Sequence, residues 1–99
     1  MMSLEAITGF DWDEHNSLKC HRKHAVGQSE AEQVFLNQPL LVAPDGKHSL
    51  VEARYHALGQ TNDARVLHIT FTLREDGMTI RVISARDASR KERKRYAEA

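Results

Sequence analysis

The sequence predicts an α+β fold: two N-terminal helices, an antiparallel sheet of about four strands, and a C-terminal helix. Three observations carry this expectation. Residues 67–73 alternate, with Leu67, Ile69, Phe71 and Leu73 on one side and His68, Thr70 and Thr72 on the other. That is the period of a strand with one buried face. Turn residues at Pro44-Asp45-Gly46, Asn62-Asp63 and Glu75-Asp76-Gly77 cut the second half of the chain into consecutive strands, the last two joined by a tight hairpin. The segments on either side carry helix caps. Such an order makes one sheet with its helices on one face. The 99 residues form a single domain, 1–99, with one small core.

Phe10-Asp11-Trp12-Asp13 opens the fold. Phe10 and Trp12 pack, and Asp11 or Asp13 caps a helix from about Glu14 to Lys23 or His24. Leu18 is its only large aliphatic residue, so its exposed face is available for function. Ser29 and Glu32 have the spacing of a capping box at the start of a second helix. Ala31, Val34 and Phe35 face the core there, and Asn37 and Pro39 end it. Leu40-Leu41-Val42 is a short first strand; the others are expected at Val51–Gly59, Arg65–Leu73 and Met78–Ser84. In the last, Thr79, Arg81, Ile83 and Ala85 alternate with Ile80, Val82 and Ser84. Asp87 or Ser89 then caps a basic helix reaching toward Tyr96.

The chain is formally neutral, with 14 Lys and Arg against 14 Asp and Glu, which excludes a uniformly basic surface. Yet Arg81 to Tyr96 holds seven Arg or Lys against one Asp and one Glu. Charge concentrated in this way meets something negative. Arg86, Arg90 and Arg93 are its candidate RNA-binding residues. A single cysteine, Cys20, excludes an internal disulfide and a Cys-based zinc site, and fits a reducing compartment. No stretch resembles a signal peptide or approaches the roughly 20 apolar residues of a membrane span. A cytoplasmic protein without membrane contact is expected. His21 and His24 are three apart on a helix, and no other carboxylate or histidine has a recognisable ligand spacing with them, so neither metal nor cofactor is expected. No P-loop, GxGxxG or GxSxG is present, which leaves nucleotide-fuelled chemistry and triad hydrolysis without support.

The polar sheet face carries the candidate chemistry. His68, Thr70 and Thr72 lie there, and burial of Ile80 and Val82 puts Arg81 beside His68 or Thr70. Arg54 and His56 share a face with Leu58. Arginine holds a phosphate through two parallel hydrogen bonds, and histidine moves protons near neutral pH. The set suits phosphodiester cleavage without a metal. One group deprotonates the ribose 2′-OH, and arginines stabilise the pentacoordinate phosphate. His24, His56, His68 and Lys23 are the candidate bases.

Four segments, FDWDEHN at 10–16, RKHAV at 22–26, HSLVEARYHALG at 48–59 and RVISARDASRKERKRY at 81–96, resemble the BrnT family of toxins from type II toxin–antitoxin systems. The resemblance runs from Phe10 to Tyr96. It implies a fold similar to RelE and ParE toxins and a ribonuclease that arrests translation. It also implies a BrnA-like ribbon-helix-helix antitoxin, with operator DNA bound only through that antitoxin. The family's motif residues correspond to Lys23, His24, Glu52, Arg54, Arg81, Ser84, Arg86 and Tyr96. RelE-like nucleases use arginines, lysines and a C-terminal tyrosine, for which Arg54, Arg81 and Tyr96 are the counterparts. The expected catalytic set is therefore Arg54, Arg81, His24, Lys23, Tyr96 and His68. One departure is Ala25, where the family usually has glycine. Two other readings fit the same residues: a module that binds nucleic acid or antitoxin without catalysis, and a ParE-like toxin directed at gyrase.

Overall fold

The computed structural model describes residues 6–46 and 52–99, with residues 18–21 and 23 described by their backbone alone. Val51, where the second strand was expected to begin, and the side chains of Leu18, Cys20, His21 and Lys23 lie outside the described residues. The elements are β1 (Gly9–Phe10), α1 (Glu14–His24), α2 (Gln28–Leu36), β2 (Leu41–Pro44), β3 (Arg54–Gln60), β4 (Val66–Arg74), β5 (Thr79–Asp87) and α3 (Arg90–Ala97). The expected antiparallel meander is present as β2 to β5. Among the described residues the sheet is mixed and five-stranded, in the order β1-β5-β4-β3-β2, because β1 adds parallel to β5. Two residues are too few to show a period in sequence.

Local chemistry sets the helix starts. Asp13 caps α1: its Oδ1 accepts from Asn16 N at 3.0 Å, and Asn16 Oδ1 accepts from Asp13 N at 2.8 Å. Asn16 is buried and its Nδ2 donates to the Asp11 and Val82 carbonyls, tying this polar helix to β5. The expected Ser29–Glu32 box does not form. Helix α2 starts at Gln28 with Gly27 as its N-cap, and Glu30 accepts from Gly27 N at 3.2 Å. Glu32 instead accepts from Trp12 Nε1 at 2.7 Å, since an indole N–H packed against a core needs an acceptor. At α3 the cap is Ser89, whose Oγ accepts from Glu92 N at 3.2 Å while Glu92 Oε1 accepts from Ser89 N at 2.8 Å. Asp87 belongs to β5 and pairs with Arg65. Arg65 is a tie between layers, reaching Asp87 at 2.7 Å, Glu30 at 2.9 Å and the carbonyls of His24 and Ala25.

The core lies between α1 and α2 and one sheet face. Val26, Ala31 and Val34 meet Ala57, Leu67, Ile69, Phe71, Ile80, Val82 and Ala85, all at most 1% exposed. Phe35 sets its ring edge-on to Phe71 at 5.1 Å. Gly59 admits α2 closely, because a Cβ there would lie 2.8 Å from Val34 Cγ1.

Helix α3 departs from the one-face expectation. Its Tyr96 packs with Leu58 and Ala88 in a second cluster, edged by Leu41 and Val66. Leu58 points opposite to its neighbour Ala57, so α3 covers the face that α1 and α2 leave open. Tyr96 is the one large apolar side chain of α3, and Leu58 supplies an apolar seat for it. The Tyr96 hydroxyl donates to Pro39 O at 2.7 Å.

Candidate active site

The open face is shaped by a bulge in β5. Thr70 opposes Ser84 but Phe71 opposes Val82, so Ile83 is the extra residue. In the sequence alternation Ala85 falls with Arg81. The bulge reverses this: Ala85 is buried in the core, and Ser84 and Arg86 turn to the same face as Arg81. Three rows then cross β3, β4 and β5: Arg54–Thr72–Arg81, His56–Thr70–Ser84 and Leu58–His68–Arg86. Arg81 lies beside Thr72, and so not beside His68 or Thr70 as expected.

Between the two histidine rows and α3 is a cavity of about 190 Å³, lined by His56, Leu58, His68, Glu92, Arg95 and residues of β2. The His56 and His68 rings lie diagonally across the strands, 4.8 Å between centroids. His56 Nε2 is 3.0 Å from Asp45 Oδ2, and its Nδ1 is 3.2 Å from Thr70 Oγ1. Donation of Nε2–H to the carboxylate leaves Nδ1 as the acceptor facing the Thr70 hydroxyl. Asp45 is buried in the turn after β2, and its N–H donates to Arg54 O at 2.8 Å.

His68 Nε2 lies 3.9 Å from Glu92 Oε2. Burial, followed by the charge of Arg86, pushes the His68 imidazole below its ordinary pKa, so it is neutral at pH 7. Arg86 donates two bonds to Glu92, Nη1 to Oε1 at 2.8 Å and Nη2 to Oε2 at 3.1 Å. That fork, with burial opposing it, holds the Glu92 carboxyl down to about 2. A neutral imidazole, a second imidazole facing it and a nearby guanidinium make a pocket equipped for proton transfer at an anionic substrate.

The other expected site residues are dispersed. The Arg81 guanidinium is held by Asp13 Oδ2 at 2.8 Å and Asp11 Oδ2 at 3.5 Å, at the start of α1. Tyr96 anchors α3, and burial raises its phenol's pKa. Arg54 shares the open face two residues along β3 from His56. His24 ends α1 and is exposed, with its carbonyl bonded to Arg65. Lys23 lies outside the described side chains. Glu52 pairs with Arg74 at 3.2 Å. Arg86 sits on β5 within the site, whereas Arg90 and Arg93 are exposed on α3, with Arg93 Nη1 donating to Ala88 O. Among the described residues, no group of three or more His, Cys, Asp or Glu side chains is placed to hold a metal ion. No described helix is long and apolar enough to cross a membrane.

Sequence reasoning missed Asp45, Glu92 and Arg95. Asp45 reads as a turn residue. Ser89-x-x-Glu92 is legible as a capping box, but its second contact with Arg86 depends on the bulge.

Fold and site together define a small α+β domain carrying a histidine-lined pocket beside a basic helix. The chain belongs to the BrnT family: residues 12–92 match the model described as the ribonuclease toxin, BrnT, of type II toxin–antitoxin systems. It is thus a ribonuclease toxin with RNA as substrate and an antitoxin as partner, in place of the binding-module and gyrase readings. The crystal structure of the Brucella abortus ribonuclease toxin, BrnT, matches with a TM-score of 0.64 and 24% identity, covering 83% of this chain and 97% of that one. At this identity the likeness is one of fold. A search among curated proteins returned no match.

Proposed function

We propose that the cavity between His56, His68 and α3 is the active site, and that it cleaves RNA internally without a metal. The facing imidazoles carry this reading: one is held by Asp45, and the other is neutral at pH 7. His68 takes the proton of a ribose 2′-OH, whose oxygen attacks the adjacent phosphorus. The 5′-oxygen leaves with a proton from His56, which acts as the imidazolium with its other N–H on Asp45 and ends as the neutral ring, giving a 2′,3′-cyclic phosphate and a 5′-hydroxyl. Arg86, with Arg54 on the same face, stabilises the pentacoordinate phosphate. Arg90, Arg93 and Arg95 of α3 bind flanking phosphates. Arg81 and Tyr96, held by Asp13 and by Pro39, position α1 and α3 and take no part in proton transfer.

In this reading the protein works in the cytoplasm as a RelE-like toxin. A BrnA-like ribbon-helix-helix antitoxin neutralises it and carries the pair to operator DNA. The test is cleavage of purified RNA in excess EDTA without ribosomes, comparing wild type, His68→Asn and Arg81→Ala. Wild type and Arg81→Ala should yield cyclic-phosphate ends, and His68→Asn should not. Loss of cleavage in EDTA, or full activity in His68→Asn, would overturn the assignment.

A further inference from the structure

Glu92 is the acidic side chain among the residues lining the cavity. Its carboxylate is gripped by the Arg86 fork at 2.8 and 3.1 Å, stands 3.9 Å from His68 Nε2, and accepts from Ser89 N at 2.8 Å in the first turn of α3. A guanidinium fork and a helix-capping backbone N–H around one anion, with an imidazole beside it, are the surroundings that suit a phosphate oxygen. We propose that Arg86, His68 and Ser89 N form the seat of the scissile phosphodiester, and that the Glu92 carboxylate fills this seat in the free protein and leaves it when RNA binds. The inference rests on the pocket being the nuclease site.

The exchange is chemically simple. Carboxylate and phosphate accept the same parallel pair of N–H bonds from an arginine. Glu92 stands at the third position of α3 and its side chain is 26% exposed, so a rotamer change carries the carboxylate to solvent. The Arg86 and Ser89 N–H donors it leaves are those the incoming phosphate takes, and the His68 imidazole beside them stays free to accept the 2′-OH proton. An RNA strand held along α3 by Arg90, Arg93 and Arg95 presents its phosphate at high local concentration. A free anion lacks that advantage.

The discriminating variant is E92Q. Glutamine at this position still accepts from the Ser89 N–H in the capping box, so α3 is retained, which circular dichroism verifies. Binding of a 2′-O-methyl RNA oligonucleotide, which has no 2′-OH to attack, is followed by fluorescence anisotropy over a range of salt. E92Q should bind about tenfold tighter than wild type. Its slope of log K against log salt should steepen by roughly 0.7, one further contact to a single strand. Inorganic phosphate, followed through the His68 ring resonances, should show the same direction of change. Glu98→Gln removes the same charge from the exposed C-cap of α3 and should change binding less than twofold. Adding Arg86→Ala to E92Q should abolish the gain.

Equal binding by E92Q and E98Q would overturn the seat. Loss of cleavage by E92Q without any change in binding would also overturn it, and would make Glu92 a proton-transfer group. If wild-type protein cuts no RNA but the E92Q gain persists, the seat stands and the nuclease assignment of the pocket falls.

Discussion

At the residue scale, His68 and Ala25 show how surroundings select a side chain. His68 is pushed toward neutrality by burial and by Arg86. A base that must be unprotonated then has the acid limb of its rate profile below pH 6.5. Cleavage rates from pH 4.5 to 8 should show that limb, and His68→Asn should lower the rate by about 10² to 10⁴. Ala25 has φ of 53°, in the left-handed region, in the turn between α1 and α2. A Cβ there costs about 1–2 kcal/mol. Ala25→Gly removes that strain and adds freedom to the unfolded chain. It should stabilise by about 0.5–1 kcal/mol, read as a higher urea midpoint at unchanged slope.

At the element scale, the sheet carries a helix layer on each face, and each layer has one sensitive contact. Val34 of α2 rests on Gly59, with no room for a methyl group. Gly59→Ala should cost about 1–3 kcal/mol in denaturant unfolding. Helix α3 hangs on Tyr96, through its ring against Leu58 and its hydroxyl on Pro39 O. Tyr96→Phe keeps the ring and should cost about 1 kcal/mol. Its cleavage rate per folded molecule should be unchanged, whereas a catalytic phenol would lose it.

The bulge at Ile83 acts at this scale too. It decides that Arg86 joins the histidines while Arg81 turns to Asp11 and Asp13. The alternation in residues 79–85 runs on through this point and places Ala85 with Arg81, whereas the observed register buries Ala85 in the core.

At the scale of the whole molecule, stability follows pH through groups spread over every layer. Asp13 is held below its ordinary value by the Asn16 N–H and Arg81, and Asp87 by Arg65. Glu30 is lowered against the effect of burial, by Arg65 and the Gly27 N–H. Glu92 is lowered furthest, from 4.5 to about 2, by Arg86. In each, the unfolded chain takes up protons before the folded one does. Their contribution is present above the unfolded pKa values and is lost as pH falls below about 4.5, for Glu92 down to about 2. His68 adds an earlier loss beginning near pH 6.5, because its folded pKa is also depressed and the unfolded imidazole charges first. Thermal melts at pH 7, 5.5, 4 and 3 should show a small decrease and then a steep one. A melting temperature independent of pH from 7 to 4 would contradict both shifts.

By itself the sequence determined the meander, its apolar face at Leu67, Ile69 and Phe71, the caps at Asp13 and Ser89 as one of two options each, and the family. These depend on a period of two, on partners three residues apart, or on motifs read along the chain. Only the tertiary structure decided that α3 covers the histidine face, that β1 joins β5 in parallel, and that Asp45, Glu92 and Arg86 meet His56 and His68. For Arg86 and the Glu92 it meets, the physical reason is that the extra residue in β5 reverses every side chain beyond it. Contacts such as Asp45–His56 and His68–Glu92, 11 and 24 positions apart, follow from register and layer packing, which no local pattern encodes.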